Sequence, residues 1–250
     1  MPPVRRRSAV LQPVQGVKLG DEVTKQIRDA VMSGAYQSGE KLAIEKLAGE
    51  LGVSTMPVRE ALLALASEGI LEISPRRGFR VAMLARRDIE DIFYVHAFLA
   101  GVLAERAARV IDEATLKRLR RIREKVDALR GSGDSDDRRQ KIEFLNYSFH
   151  RTVNGLVDAP RLHWFLDAAS KYVPRHMYET LDGWTQLTVD DHPHIIEALE
   201  RRDESASRTR TEEHVLHAGK LVIDNLEAHG FFDNSPAAPA LPEPESTGIW

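Results

Sequence analysis

Four polar side chains occupy positions where a helical pattern calls for apolar ones. In residues 137–157 the inner stripe reads Ile142, Leu145, Asn146, Phe149, His150, Val153, Leu156, so Asn146 and His150 lie one turn apart on one face. In 188–201 the stripe reads His192, Ile195, Ile196, Leu199, and in 203–229 it includes Thr211, His214, Ala218, Leu221 and Asn225. Buried polar groups need partners. One inward histidine is ordinarily a satisfied core residue; three of them with an amide, from three helices, are better satisfied together by a bound ion or anion. Nitrogen and oxygen donors without a thiolate suit a divalent transition metal such as zinc, nickel or manganese. The expected ligands are Asn146, His150, His192 and His214. His217 is a rival ligand, and His194, off the stripe, belongs on the surface.

A second group of residues suits a different chemistry. Ser54, Thr55 and Arg59 lie near the start of a short helix whose opposite face carries Val58 and Leu62. A hydroxyl at a helix start can meet phosphate beside free backbone N–H groups. An arginine one turn further in can pair with both O6 and N7 of a guanine in a major groove about 12 Å wide. Arg76 and Arg77 fall in the turn that follows, where they would lie over the flanking backbone or minor groove.

The elements that would position these groups are punctuated by glycine. Apolar residues Val23, Ile27, Ala30 and Val31 mark a first helix, closed by Gly34. Ile44, Leu47, Ala48 and Leu51 mark a second, closed by Gly52. Ser54 is a cap candidate for the third, on which Val58, Ala61, Leu62 and Leu65 face inward and which ends at Gly69. Two short runs, residues 70–73 and 79–81, flank a Pro/Gly turn and predict a β-hairpin. Beyond about residue 86 the strand signals stop. Helical stripes run through about 88–110, 113–130, 137–157, 160–181, 188–201 and 203–229, which predicts six helices in an antiparallel bundle.

Composition bounds the function classes. The chain has 250 residues, 42% of them apolar, and no cysteine, which excludes disulfides, thiolate catalysis and cysteine-based metal clusters. The net charge of −3 hides a split: residues 1–87 carry 14 Lys/Arg against 9 Asp/Glu, whereas residues 88–250 carry 21 against 29. A basic first third suits a polyanionic partner. No apolar run approaches the roughly 20 residues of a membrane span, and the expected location is cytoplasmic. The expected organisation is a flexible arm at 1–17, a winged helix-turn-helix at 18–83, a helical effector and metal domain at 88–230, and a disordered Pro-rich tail at 231–250. The fold class is mainly α.

The wording of the first domain carries a resemblance. Gly39-Glu40, Leu47-Ala48, Leu51-Gly52-Val53-Ser54, Pro57-Val58-Arg59-Glu60-Ala61-Leu62, Glu68-Gly69-Ile70-Leu71 and Arg76-Arg77-Gly78 resemble the winged helix-turn-helix of the GntR superfamily of bacterial transcription regulators, over about residues 20–82. The resemblance implies that Ser54, Thr55 and Arg59 contact DNA, with Arg76, Arg77 and Gly78 in the wing and Lys46 on a phosphate. Many relatives carry Arg where this chain has Thr55.

Residues 88–230 resemble the FadR-like branch, whose ligand-binding domain is called FCD. Its metal-binding subset shows Asp-x-x-x-His, then two further histidines; here Asn146 stands in the Asp position. Relatives often have Arg and Glu where this chain has His96 and Ala100, so either another base meets an effector carboxylate or the protein binds a different ligand. Arg175 is the candidate substitute, with Tyr172 and Tyr178 along the same segment; His96 is a further expected effector contact, and an ordinary exposed arginine is the alternative reading of Arg175.

The resemblance implies a regulator, not an enzyme: a homodimer on a palindromic double-stranded operator, usually a repressor, modulated by a small organic acid held beside a metal. One rival is a metalloenzyme using the histidines to activate water, against which no Glu or Asp is read on the same stripes as an evident base. The other is a non-specific nucleic-acid binder, with steep salt dependence and little sequence preference.

Overall fold

The computed structural model describes residues 19–74, 78–130, 135–172 and 175–233, without the side chains of Arg175, His176 and Thr180. The expected arm at 1–17, the wing-tip residues Arg76 and Arg77, and the stretch from Asn234 onward lie outside the described residues.

Helix α1 (Leu19–Met32) buries Val23, Ile27, Ala30 and Val31, the face its apolar spacing selects. Strand β1 (Lys41–Leu42) leads into α2 (Ile44–Leu51), whose Leu47, Ala48 and Leu51 are buried. Gly52 closes α2 in the left-handed conformation (φ 66°), and its N–H bonds back to the carbonyls of Ala48 and Gly49. A side chain at that φ would be strained, so the tight turn into α3 (Thr55–Ser67) depends on glycine. Helix α3 buries Val58, Ala61, Leu62 and Leu65.

Strands β2 (Leu71–Ser74) and β3 (Gly78–Val81) form the expected antiparallel hairpin, with Ile73 opposite Phe79. β1 adds a third strand, pairing Leu42 with Phe79, to give the order β1-β3-β2. Two residues carry no periodicity, so β1 was not readable from pattern.

The second domain comprises α4 (Arg86–Val110), α5 (Glu113–Leu129), α6 (Asp136–Asn154), α7 (Pro160–Ser170), α8 (Arg175–Thr180), α9 (Trp184–Glu200) and α10 (Glu204–Ala228). The single helix expected over 160–181 is therefore two. Pro174 lacks the amide that a continuing helix would need. Helices α4 and α10 approach closely: a Cβ on Gly219 would lie 2.6 Å from the Phe93 ring, so only glycine fits there.

One apolar core runs from the first domain into the near half of the bundle, joining Leu65 and Ile70 to Phe93, Trp184 and Val222. A second, around Ala104, Leu119, Phe149 and Leu199, fills the far half. Phe231 belongs to the first core at 1% exposure. The chain is thus anchored at the point where the tail was expected to begin.

Candidate functional site

The face of α3 that could read DNA is built by what the opposite face buries. With Val58 and Leu62 inside, Ser54, Thr55 and Arg59 are left exposed, and Met56 joins them at 63% exposure. Ser54 takes the N-cap position with extended backbone, but its side chain makes no capping hydrogen bond. Its hydroxyl and the first N–H groups of α3 are open to an anion. Arg59 is exposed and makes no ion pair among the described residues. Lys46 is also exposed, 3.8 Å from the Glu50 carboxylate on its own helix. Gly78 begins β3 at the exposed end of the hairpin.

In the bundle, α6, α9 and α10 bring His150, His192 and His214 together, each offering a ring nitrogen within 4.8 Å of the others. His150 Nε2 and His214 Nε2 are 3.0 Å apart, and the His192 ring stacks on Phe149 at 4.0 Å. Asn146 is buried one turn before His150 on α6. The Asn146 Oδ1 and His192 Nε2 atoms are buried and have no hydrogen-bond partner among the described residues. An unpartnered amide oxygen one turn from His150, together with three clustered imidazole nitrogens, is a donor set that fits a divalent cation.

Burial favours the neutral form of His150, His192 and His96. Burial, then the neighbouring His214 and His96, holds His150 well below the usual imidazole range. Burial, then His214 and His150, does the same to His192. His96, at the same centre, is lowered to about 4 by burial and then by His214. Neutral imidazoles present the lone pairs a metal requires.

Two carboxylates stand behind this set, and their presence corrects the expectation that none lies on these faces. Asp191 Oδ2 accepts from His214 Nδ1 at 3.2 Å, which turns Nε2 of that ring toward the cluster. Burial raises the Asp191 carboxyl, but hydrogen bonds from His214 and His217 outweigh it and leave the group below its ordinary value. Glu143 is 3% exposed, and its Oε2 accepts from Asn146 Nδ2 at 3.3 Å. Both acids sit directly beside the expected stripe, at positions that periodicity alone assigns to the helix flank.

His217 does not join the three clustered histidines. It is 59% exposed and its Nδ1 meets Asp191, so it braces that carboxylate from outside. His194 is exposed, as its position off the stripe implied.

A cavity of about 630 Å³ opens beside the cluster. Phe93, His96, Glu143, Asn146, His150 and His214 form part of its wall, and Lys171, Tyr178 and Trp184 also line it. Tyr178 stacks on Trp184 at 4.3 Å, and burial, then Glu143, pushes its phenol up. Of the expected effector contacts, His96 lines the cavity. The Arg175 side chain lies outside the described atoms. Tyr172 is a correction: it is absent from the cavity wall, and its hydroxyl donates to the Glu68 carbonyl at the end of α3. Glu68 also meets Arg28 of α1 at 2.5 Å and Lys171 at 3.4 Å. Helix α3 and the cavity wall therefore meet at one residue.

Two family matches divide the chain as its fold does. Residues 19–81 match bacterial regulatory proteins of the gntR family, and residues 91–217 match the FCD domain. An HTH-type transcriptional regulator of Mycobacterium tuberculosis is 30% identical over 77% of this chain and 76% of its own length. The chain belongs to the GntR family.

It is a DNA-binding transcriptional regulator with an FCD domain. Other GntR relatives include the gluconate operon transcriptional repressor of Bacillus subtilis, 28% identical over 74% of this chain and 76% of that one. The transcriptional repressor RspR of Escherichia coli is 24% identical over 85% and 91%. Among solved structures, Escherichia coli McbR/YncC covers 84% of this chain with a TM-score of 0.62 at 22% identity, a likeness of fold. It covers 99% of that chain. Among the described residues, no helix of this GntR protein is long and apolar enough to cross a membrane.

Proposed function

We propose that this GntR regulator is a repressor whose FCD domain holds a divalent transition metal and, in the adjoining cavity, a small organic acid that modulates operator binding. The observation that carries the reading is the meeting of three histidine nitrogens within 4.8 Å, two of them, on His150 and His214, on the wall of a 630 Å³ cavity. His150, His192 and His214 would hold the metal with Asn146. When bound, the ion supplies a Lewis-acid centre whose open positions accept carboxylate oxygens. Asp191 keeps His214 in the orientation that faces the cluster. Lys171 and His96 line the same space, and Lys171 adds a cationic group at its wall. That one relative is a gluconate operon repressor agrees with an organic acid as ligand class.

On the DNA side, Ser54, Thr55 and Arg59 read the major groove, Lys46 contacts phosphate, and Arg76, Arg77 and Gly78 form the wing contact. The protein acts as a homodimer on a palindromic operator, and ligand capture changes the placement of its two reading helices. The metal reading is tested by elemental analysis of purified protein beside the His150→Ala/His214→Ala variant. About one metal per chain is expected in the parent and almost none in the variant, an affinity loss of about 4 kcal/mol or more. Equal metal content in both removes the site.

A further inference from the structure

Resting on the metal reading above, we infer that Glu143 is the positioning residue of this metal centre: it takes the amide N–H of Asn146 and so turns the Asn146 carbonyl oxygen toward the histidines, supplying from one turn away the negative charge that a neutral ligand set lacks.

The geometry has three parts. First, three neutral imidazoles and an amide bring no charge to a divalent ion, and an amide oxygen is a weaker donor than a carboxylate. Second, an asparagine side chain is ambiguous: it presents an acceptor on one branch and two donors on the other. Asn146 Nδ2 is 3.3 Å from Glu143 Oε2, which only accepts when ionised. That contact assigns the nitrogen branch to Glu143 and leaves Oδ1, buried and with no partner among the described residues, as the free acceptor one turn from His150 on α6. Third, Glu143 is 3% exposed on a face whose neighbours Ile142, Phe149 and Val153 are apolar core. A carboxylate at that position would stabilise a cation held at the histidine cluster. The centre then has matching supports at its two ends. Asp191 stands behind His214 and Glu143 stands behind Asn146. Outer carboxylates of this kind fix ligand orientation and raise ligand basicity.

The test is a mutant cycle on the full chain, read as Zn²⁺ affinity by competition with a chromogenic chelator, with the Co²⁺ absorption spectrum as a second readout. Glu143→Gln keeps the shape but removes the charge and lets the 143 side chain donate. It is expected to weaken Zn²⁺ binding by about 10–100-fold and to change the Co²⁺ spectrum. Glu143→Gln/Asn146→Asp puts the carboxylate in the ligand position with an amide to support it, and is expected to recover most of the loss. Asn146→Ala is expected to weaken binding, with no further loss when Glu143→Gln is added, because Glu143 acts through Asn146. Binding by Glu143→Gln at parental strength overturns the inference, as does equal additional loss in the Asn146→Ala background. If Glu143→Gln fails to fold, the Asn146→Asp and Asn146→Ala variants decide: Asn146→Ala binding as tightly as the parent removes the oxygen ligand and the role of Glu143 with it. Failure of the metal reading itself looks different, since the parent then binds no Zn²⁺, or binds it equally after His150→Ala/His214→Ala.

Discussion

The reading helix and the histidine cluster use the same device in opposite senses. On α3 the polar residues Ser54, Thr55 and Arg59 point outward and keep their hydrogen-bonding capacity open. In the bundle, Asn146, His150, His192 and His214 point inward, where each open valence costs free energy. An exposed arginine is unremarkable on any helix, so the proposed DNA contacts stand out only through the wording of their segment. An inward histidine breaks a pattern and stands out by itself. Outward polarity thus needs a family to give it meaning, whereas inward polarity needs a partner.

The largest consequence of this contrast is a dependence of stability on pH that comes from the bundle alone. His96 sits near 4 and His150 and His192 well below their ordinary range, while unfolded histidines titrate near 6.5. Below pH 6.5 the unfolded chain therefore binds more protons than the folded one, and stability falls as pH falls. In chelator-treated protein His96 alone is expected to remove up to about 3 kcal/mol between pH 6.5 and 4. Urea midpoints across that range check this, and a flat profile would show that the rings are not held neutral by burial.

Next in size is the reading helix. Arg59→Ala is expected to weaken a cognate duplex by about 1–3 kcal/mol and random duplex much less, with unchanged melting temperature because the side chain is exposed. Comparable loss on both duplexes by fluorescence anisotropy would make α3 a non-specific cation. The smallest effect belongs to Lys46→Ala: a uniform weakening across sequences, and a shallower salt dependence by about one unit of slope. A sequence-selective loss there would move base readout onto α2.

Much of this architecture was legible where local chemistry and tertiary demand agree. Gly52 and Gly69 end helices because they stand at positive φ, and Val58 with Leu62 sets the rotation of α3. The three histidines and Asn146 were visible as exceptions to an apolar stripe. What was hidden depends on contacts between distant segments. β1 exists because Leu42 meets Phe79 across the sheet. Tyr172 looked like a cavity residue from its place beside Arg175, but the break between α7 and α8 directs its hydroxyl to Glu68. Glu143 and Asp191 adjoin stripe residues in sequence, where a helix flank and a helix interior look the same; only packing against Asn146 and His214 distinguishes them.

The joint at Glu68, shared by Arg28, Lys171 and Tyr172, is one place where the two regions touch beside their shared apolar core, and the proposed regulation requires them to communicate. The direct measurement is anisotropy of a labelled duplex, selected by the protein from a random pool, titrated with parent and His150→Ala/His214→Ala protein in Zn²⁺ and in chelator. A several-fold change in affinity on chelating the parent, and none for the variant, is the predicted result. Identical curves for the parent in Zn²⁺ and in chelator would contradict the claim that the histidine centre governs how the recognition helix meets DNA.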